Sequence, residues 1–345
     1  KEVVGERIRP TWAEADIMRN DYLLSEGKID QEEAIKRLQR LEHVWRGGNF
    51  ELELLLRLKD MYLKSGNFRA GLKTLGAISI TFEGSPEGRE ASDEMEEVFR
   101  RLYLDGESKK LGPVAALGLY FDFRELTPVG GDGDQMVRNL ADRLVSVDLL
   151  GRAAELIDFQ VNFRLRGAEK ARVAAKLAAI YLLDRQPEKA LEALGKSRFR
   201  AIPASLLRER RYLQTRALIE LERFDDAQRL IAQDQSTQAS ALRADVYWIT
   251  SDWPRAAGAF EMVLRNRENA AELSRQERNQ VMQMTVAYAL ANDREAIDDV
   301  RNRYGALMSA TKDASAFEVL TSNPDRASIG FREVASRIAQ VNTLD

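Results

Sequence analysis

Apolar residues recur along most of this chain at the three- and four-residue intervals of amphipathic helices, with short polar turns between the segments. The pattern predicts early helices over residues 11–26, 89–104 and 113–125. Asp30 is placed to cap a further helix, because its side chain can accept from the free backbone N–H groups of a first turn. The longest polar break is 127–134, which contains three glycines, and an almost unbroken series of helical segments follows it.

A spacing of nine residues between a large residue and a small one recurs within these segments. The pairs are Tyr62 and Gly71, Leu144 and Ala153, Tyr181 and Ala190, Leu218 and Ala227, and Tyr247 and Ala256. Another large residue follows each small one by four positions, as Leu75, Ile157, Leu194, Ile231 and Phe260. Small residues let two helices approach closely, and large ones fill the space between neighbouring pairs. The spacing predicts a repeated helical hairpin, most regular over 170–230, with Ala287 and Ala296 marking a sixth copy.

This pattern resembles the tetratricopeptide repeat, whose large and small positions have the same spacing. The resemblance implies an all-α, right-handed α-solenoid of antiparallel helical hairpins, with a concave groove that binds a peptide or protein. The sequence departs from the family where Lys59 and Thr215 replace the glycine of the first helix. Successive small residues stand 82, 37, 37 and 29 residues apart, so we expect an irregular array.

The distribution of repeats and breaks predicts the domain organisation. Residues 1–126 are expected to hold N-terminal helical hairpins, with one clear repeat near 54–80, and residues 134–320 the repeat array. The glycine-rich segment 127–134 is then a hinge between two domains, or a hinge within one continuous solenoid. Residues 321–345 are predicted to form a capping helix over the end of the array. One apolar stripe in that helix comprises Phe331, Val334, Ala335, Ile338 and Val341.

Composition narrows the functional classes. The 345 residues carry 52 Lys and Arg against 55 Asp and Glu, a net charge of −3. This balance argues against nucleic-acid binding, which needs a positive surface to neutralise phosphates. No apolar run approaches the roughly 20 residues of a membrane span, and there are no cysteines for disulfides or thiolate sites. Because the chain begins at Lys1, we expect a processed chain or a fragment with an unseen targeting segment. The bacterial cytoplasm and the periplasm or cell envelope both stay open.

Three short motifs suggest chemistry, and each has a structural interpretation that fits better. Residues 195–197 (Gly-Lys-Ser) end like a phosphate-binding loop, but Ala190 stands where that loop needs glycine, and a helix leads in instead of a strand. His43 is the single histidine, so a His-paired metal site cannot be built and no serine motif supports a triad. Asp132 and Asp134 are too few for a calcium loop, and Asp134 is expected to cap the next helix. No enzymatic activity, cofactor or metal is predicted.

The candidate binding residues lie on the first helices of three successive predicted hairpins, on the side that lines the groove in the resembling family. They are Arg172, Lys176, Glu209, Tyr212, Arg216, Asp245 and Trp248. Glu209, Tyr212 and Arg216 share one helix face, and Tyr, Trp and Arg dominate binding hot spots. Two other interpretations stay open. The arginines of the stretch 198–216 form a solvated face, or Trp248 packs against an adjacent helix.

The sequence therefore predicts a non-enzymatic scaffold that binds a protein or peptide on the concave face of a solenoid. One alternative is an oligomerisation or assembly module of a larger bacterial envelope or motility machine, for which a homo-oligomer is expected. Another is the regulatory part of an enzyme whose active site lies upstream of this chain. A co-chaperone role is disfavoured, because the Lys and Asn clamp of such relatives is missing. Its places are taken by Ala175, Ala179, Tyr212 and Arg216.

Overall fold

Every regular element is a helix in residues 2–44 and 48–322, the part of the chain that the computed structural model describes. The predicted all-α class is thereby confirmed. Local sequence supports these helices. Ser85, Asp252 and Asp293, for example, accept from backbone N–H groups in the first turns of the helices that follow them. The chain divides into two compact units, with the division between residues 157 and 158.

The first unit is a succession of helices, of which the first four each pack against the next one in sequence. They are α1 (Glu2–Ser25), α2 (Gln31–Val44), α3 (Gly48–Lys64), α4 (Phe68–Thr81), α5 (Pro86–Tyr103), α6 (Pro113–Asp122), α7 (Gly131–Val145) and α8 (Leu150–Phe159), which ends just past the division. α2 packs against α3, α3 against α4 and α4 against α5. At Gly71 a Cβ atom would stand 2.5 Å from the side chain of Leu63, which would have to shift to admit it, so α3 and α4 pack closely at this position.

The second unit continues with shorter connections. After a π-helical turn at Gln160–Arg164 come α9 (Gly167–Leu183), α10 (Pro187–Lys196), α11 (Ala204–Glu220), α12 (Phe224–Ile231), α13 (Thr237–Ile249), α14 (Trp253–Val263), α15 (Arg275–Ala291), α16 (Arg294–Ser309) and α17 (Ala314–Ser322). Consecutive helices pack in pairs, α9 with α10, α11 with α12, α13 with α14 and α15 with α16. α9 also contacts α11, and α11 contacts α13, so alternate helices form a second set of neighbours.

The positions of the nine-residue spacing are core positions, as predicted, except that Tyr247 is only partly buried. The small residues Ala153, Ala190, Ala227 and Ala256 are all 0% exposed. The large residues four positions later, Leu75, Ile157, Leu194, Ile231 and Phe260, are buried as well. The sequence pattern therefore identified the residues that pack between helices.

One backbone turn recurs at the same place in this spacing. The residue four positions after each large one has a left-handed conformation, as in Gly66, Asp148, Arg185, Glu222, Ser251 and Asn292. In each turn the N–H of the following residue donates to the carbonyl of the large residue, for example from Gln186 to Tyr181 at 2.8 Å. This is the Schellman arrangement, which satisfies the last carbonyls of a helix and reverses the chain. Only one of these turns has glycine at the left-handed position, so composition does not reveal them.

The recurrent turn corrects the register of the sixth copy. The N–H of Asp293 donates to the carbonyl of Tyr288 at 3.0 Å, so Tyr288 holds the large position. The residue nine positions later is Ile297, which is 1% exposed. The predicted pair of Ala287 and Ala296 is therefore wrong by one residue. A branched residue replaces the small one in this copy, which left no small side chain for the spacing to detect.

The polar break at 127–134 is partly helical, because α7 begins at Gly131. Gly130, with φ of 102°, holds the N-cap position. The expectation that Asp134 caps this helix is therefore wrong. Asp134 lies instead in the first turn, where the positive end of the helix dipole favours a negative charge.

The observed helices test neither the predicted hinge nor the predicted capping helix. A Cβ atom on Gly133 would collide with the carbonyl oxygen of Pro128, so this glycine also serves a close backbone contact. The hinge at 127–134 and the domain limits derived from it stay predictions. The predicted capping helix over 321–345, apart from its first two residues, lies outside the described residues.

Three arginines each bridge two carbonyl oxygens at the end of an earlier helix. Arg143 donates to Ser108 and Leu111, Arg210 to Leu194 and Ser197, and Arg243 to Ile231 and Asp234. In each case the two carbonyls are three residues apart, where a last helical turn leaves acceptors free. Arg210 also donates to the carbonyl of Ala171 at 2.5 Å and is 8% exposed. Arg210 therefore belongs to the core, unlike a residue of a solvated basic stretch.

Candidate functional site

A cavity of about 390 Å³ opens in the second unit where α11, α13, α14 and α15 meet, and we call it the α11–α13 groove. Its charged and polar lining residues are Arg216, Glu220, Asp245 and Gln283. Its apolar lining residues are Ile219, Trp248, Ile249 and Phe260. Three residues predicted from the sequence, Arg216, Asp245 and Trp248, thus come together in one site.

The spacing of the repeat explains why these side chains converge. Arg216 and Asp245 each stand two residues before the large position of their helix, Leu218 or Tyr247. They therefore occupy equivalent places on α11 and α13, which are in contact. Residues four positions further along lie on the same helix face, and this rule brings in Glu220 beside Arg216 and Ile249 beside Asp245.

Trp248 forms the floor of the groove from within the core. Its side chain is 5% exposed. The ring centroid of Trp248 lies 5.4 Å from that of Trp253 and 6.0 Å from that of Phe260, both in edge-to-face geometry. The equivalent positions of the neighbouring helices, Leu182, Ile219 and Ala289, are buried too. Trp248 therefore packs against adjacent helices, as the alternative interpretation had it, and little of its side chain is open to the groove.

The charged groups of the groove have no partner within the described part of the chain. Arg216, Glu220 and Asp245 are exposed, and none of them makes a hydrogen bond or an ion pair with a described residue. Burial by the surrounding walls raises the pKa of Asp245 to about 6, although the nearby guanidinium of Arg216 acts to lower it. Burial also raises the pKa of Glu220, against the opposing charges of Arg185 and Arg216. Water can therefore reach Asp245, but the walls of the concave groove limit how many water molecules surround its carboxylate.

The other predicted residues lie outside this cavity. Arg172 on α9 is exposed and pairs with Glu169 of the same helix at 3.3 Å. Lys176 on α9 is half-buried, and Glu209 on α11 is exposed. None of these residues lines the groove, and their role in binding stays a prediction.

Tyr212 is engaged inside the fold. Its ring packs against the core cluster that includes Leu218 and Ile231. Its hydroxyl donates to Asp234 at 2.7 Å and lies 2.9 Å from the hydroxyl of Ser236. The hydrogen bonds from Tyr212 and Ser236 stabilise the charged form of Asp234 and lower its pKa to about 2.

Sequence reasoning missed several groove residues for an identifiable reason. Glu220 and Ile249 could have been found by stepping four residues along each helix from Arg216 and Asp245. Phe260 was identified only as a packing residue. Gln283 lies on α15, which packs against α14, and α14 in turn packs against α13. No spacing in the sequence shows that a side chain of α15 reaches the groove of α11 and α13.

No protein-family model matches the chain, and no curated protein matches it at a significant level. Within residues 2–44 and 48–322, no group of histidine, cysteine or carboxylate side chains is arranged to hold a metal ion. Among the helices of those same ranges, none combines the length and apolar character needed to cross a membrane.

Proposed function

We propose that this chain is a scaffold of the tetratricopeptide type, a solenoid of helical hairpins that binds a peptide segment of a partner protein without catalysing a reaction. Three features support the solenoid. The small residues of the nine-residue spacing and the large residues four positions after them are buried, the Schellman turn recurs in phase, and alternate helices contact each other. Repeats of this kind use surfaces formed jointly by several units for binding.

The observation that carries the proposal is the α11–α13 groove. A folded chain normally pairs or solvates its charges, and concave sites with an apolar floor and a few convergent polar groups are where ligands bind. Here Arg216 and Asp245 stand unpaired over Ile219 and Phe260. The volume of about 390 Å³ is suited to one or two side chains of a peptide.

The test is selection of short random peptides displayed on phage against the purified chain. The groove variant combines Arg216→Ala with Asp245→Ala, and the matched control combines Arg208→Ala with Asp225→Ala, two exposed residues outside the groove. Melting curves establish that both variants fold. We expect peptides to be enriched by the wild type and the control and not by the groove variant. Absence of enrichment, or enrichment that the groove variant retains, contradicts the proposal.

Self-assembly is the second candidate, and one observation favours it. Phe159 and Phe163 are 59% and 77% exposed, and their ring centroids lie 5.2 Å apart. Exposed aromatic clusters of this kind commonly mark contact surfaces. Light scattering of the wild type and of Phe163→Ser separates the candidates. A multimer that the variant breaks supports assembly, whereas a monomer at all concentrations excludes it.

A further inference from the structure

The charges that line the α11–α13 groove are unequal in number and in environment. Two carboxylates, Glu220 and Asp245, face the cavity with one guanidinium, that of Arg216. None of the three reaches another described residue within ion-pair distance, so the cavity presents free acceptors and no closed salt bridge. The remaining polar group, the amide of Gln283, can accept or donate.

Asp245 is the group that a ligand would stabilise most. Its pKa is raised because the walls remove water, and the attraction of Arg216 does not offset that loss. A second positive charge placed at the carboxylate would restore the interaction that hydration no longer provides. Burial raises the pKa of Glu220 as well.

The apolar part of the groove matches the other half of a basic side chain. Lysine and arginine carry long aliphatic stems that pack on apolar surface while the charged end stays at a polar rim. Ile219, Ile249 and Phe260 supply that surface together with Trp248. An acidic side chain has no comparable stem. It would pair with Arg216 only by approaching Asp245 and Glu220, which repel it.

We propose that the α11–α13 groove recognises a lysine or arginine side chain of the bound peptide, with Asp245 and Glu220 as acceptors and the apolar floor beneath the stem. This inference rests on the proposed peptide-binding function and names the chemistry of the partner. Arg216 can then donate to a backbone carbonyl or to the peptide's own carboxylate.

The composition of the selected peptides is the first test. In the phage selection described above, groove-dependent peptides are expected to be enriched in lysine and arginine, next to an apolar residue. Groove-dependent peptides enriched in aspartate and glutamate, or without charge preference, overturn this inference and leave the peptide-binding function standing. No groove-dependent peptide at all contradicts the function itself, so the two failures are distinct.

The second test uses the most enriched peptide, synthesised with a fluorescent label, and its variant with the basic residue changed to glutamine. Asp245→Asn should weaken binding of the basic peptide roughly tenfold. Glu220→Gln should weaken it less. Neither variant should affect the glutamine peptide, and each is isosteric, so melting curves are expected to stay close to the wild type. An equal loss of affinity for both peptides means that Asp245 does not recognise the positive charge, which overturns the proposal.

The third test is the pH dependence of the same binding. From α11, Arg216 and Glu220 face Asp245, whereas α14 and α15 contribute Phe260 and Gln283, which do not titrate. Lowering the pH from about 7.5 to about 5 protonates Asp245 and should weaken the basic peptide several-fold in the wild type. In Asp245→Asn this decline should be largely absent. A pH-independent wild type, or a decline that Asp245→Asn retains in full, contradicts the assignment.

Discussion

Two arginines six residues apart on α11 have opposite surroundings. Arg210 is buried, and its guanidinium group donates hydrogen bonds to the carbonyls of Ala171, Leu194 and Ser197 inside the fold. We call this group of residues the Arg210 corner. Arg216 is exposed in the α11–α13 groove and has no hydrogen-bond partner among the described residues. The same residue type thus serves the fold at one position and is free for a partner at the other.

Two aspartates of the second unit repeat the comparison. Asp234 accepts from Tyr212 and from Ser236, and these hydrogen bonds lower the pKa of Asp234 to about 2. Asp245 has no such donor, and burial raises the pKa of Asp245 to about 6. A charge satisfied by the chain stabilises the fold, and one left unsatisfied in a concave site favours a ligand. The residue type alone does not show which arginine or which aspartate is bound within the fold and which is free.

The largest effect is expected at the Arg210 corner. Arg210→Met should lower the free energy of unfolding by about 2–5 kcal/mol, because it leaves several buried carbonyls without a donor. Arg208→Met is the control on the same helix, since Arg208 is exposed. Urea denaturation of both variants measures the difference. If Arg210→Met unfolds at the wild-type midpoint, the corner is not structural and the comparison with Arg216 fails.

The packing that supports the corner is tested next, at Ala190 of α10. Ala190 is 0% exposed, so Ala190→Leu should overpack the contact of α10 with α9 and lower stability by roughly 1–3 kcal/mol. Ala232→Leu adds the same volume at an exposed position and should change stability little. Thermal melting distinguishes the two. Equal melting of both variants would show that the repeat's small position tolerates a large side chain.

A smaller effect is expected from the hydroxyl of Tyr212. Tyr212→Phe removes the donor to Asp234 and should cost about 0.5–1.5 kcal/mol at neutral pH. The folded-state pKa of Asp234 lies below its ordinary value, so this stabilisation is present at higher pH and lost as pH falls toward about 2. Stability of the two proteins should therefore converge in acid. A constant difference from neutral pH down to that acid range means that the bond to Asp234 does not carry the effect.

The smallest effect, with the opposite sign, is expected at Asp245. Its folded-state pKa is raised, so ionisation opposes folding above about pH 6, and protonation relieves this as pH falls. Asp245→Asn should raise the free energy of unfolding slightly at neutral pH, by less than about 1 kcal/mol because the groove is open to solvent. The advantage should shrink below pH 6. A clearly destabilised Asp245→Asn would place Asp245 among the structural charges with Asp234.

The helical pattern was well predicted where side-chain size decides the packing. Ala190, Ala227 and Leu194 were identified as core residues from spacing alone, because a close helix contact admits only a small side chain. The sixth copy was misplaced by one residue, since Ile297 fills the small position there. The candidate site was predicted in part. Arg216 and Asp245 converge because they hold equivalent places in successive helices.

By itself, then, the sequence determined the all-α class, the period of the large and small positions and two of the charges that meet in the groove. These follow from periodicity and side-chain volume, which are local properties of the chain. The tertiary structure alone decided that Arg210 is buried while Arg216 is free, that Trp248 belongs to the core, and that Gln283 of α15 reaches the groove. Those outcomes depend on which helices come together and which carbonyls they leave open, and neither is encoded in the spacing of one segment.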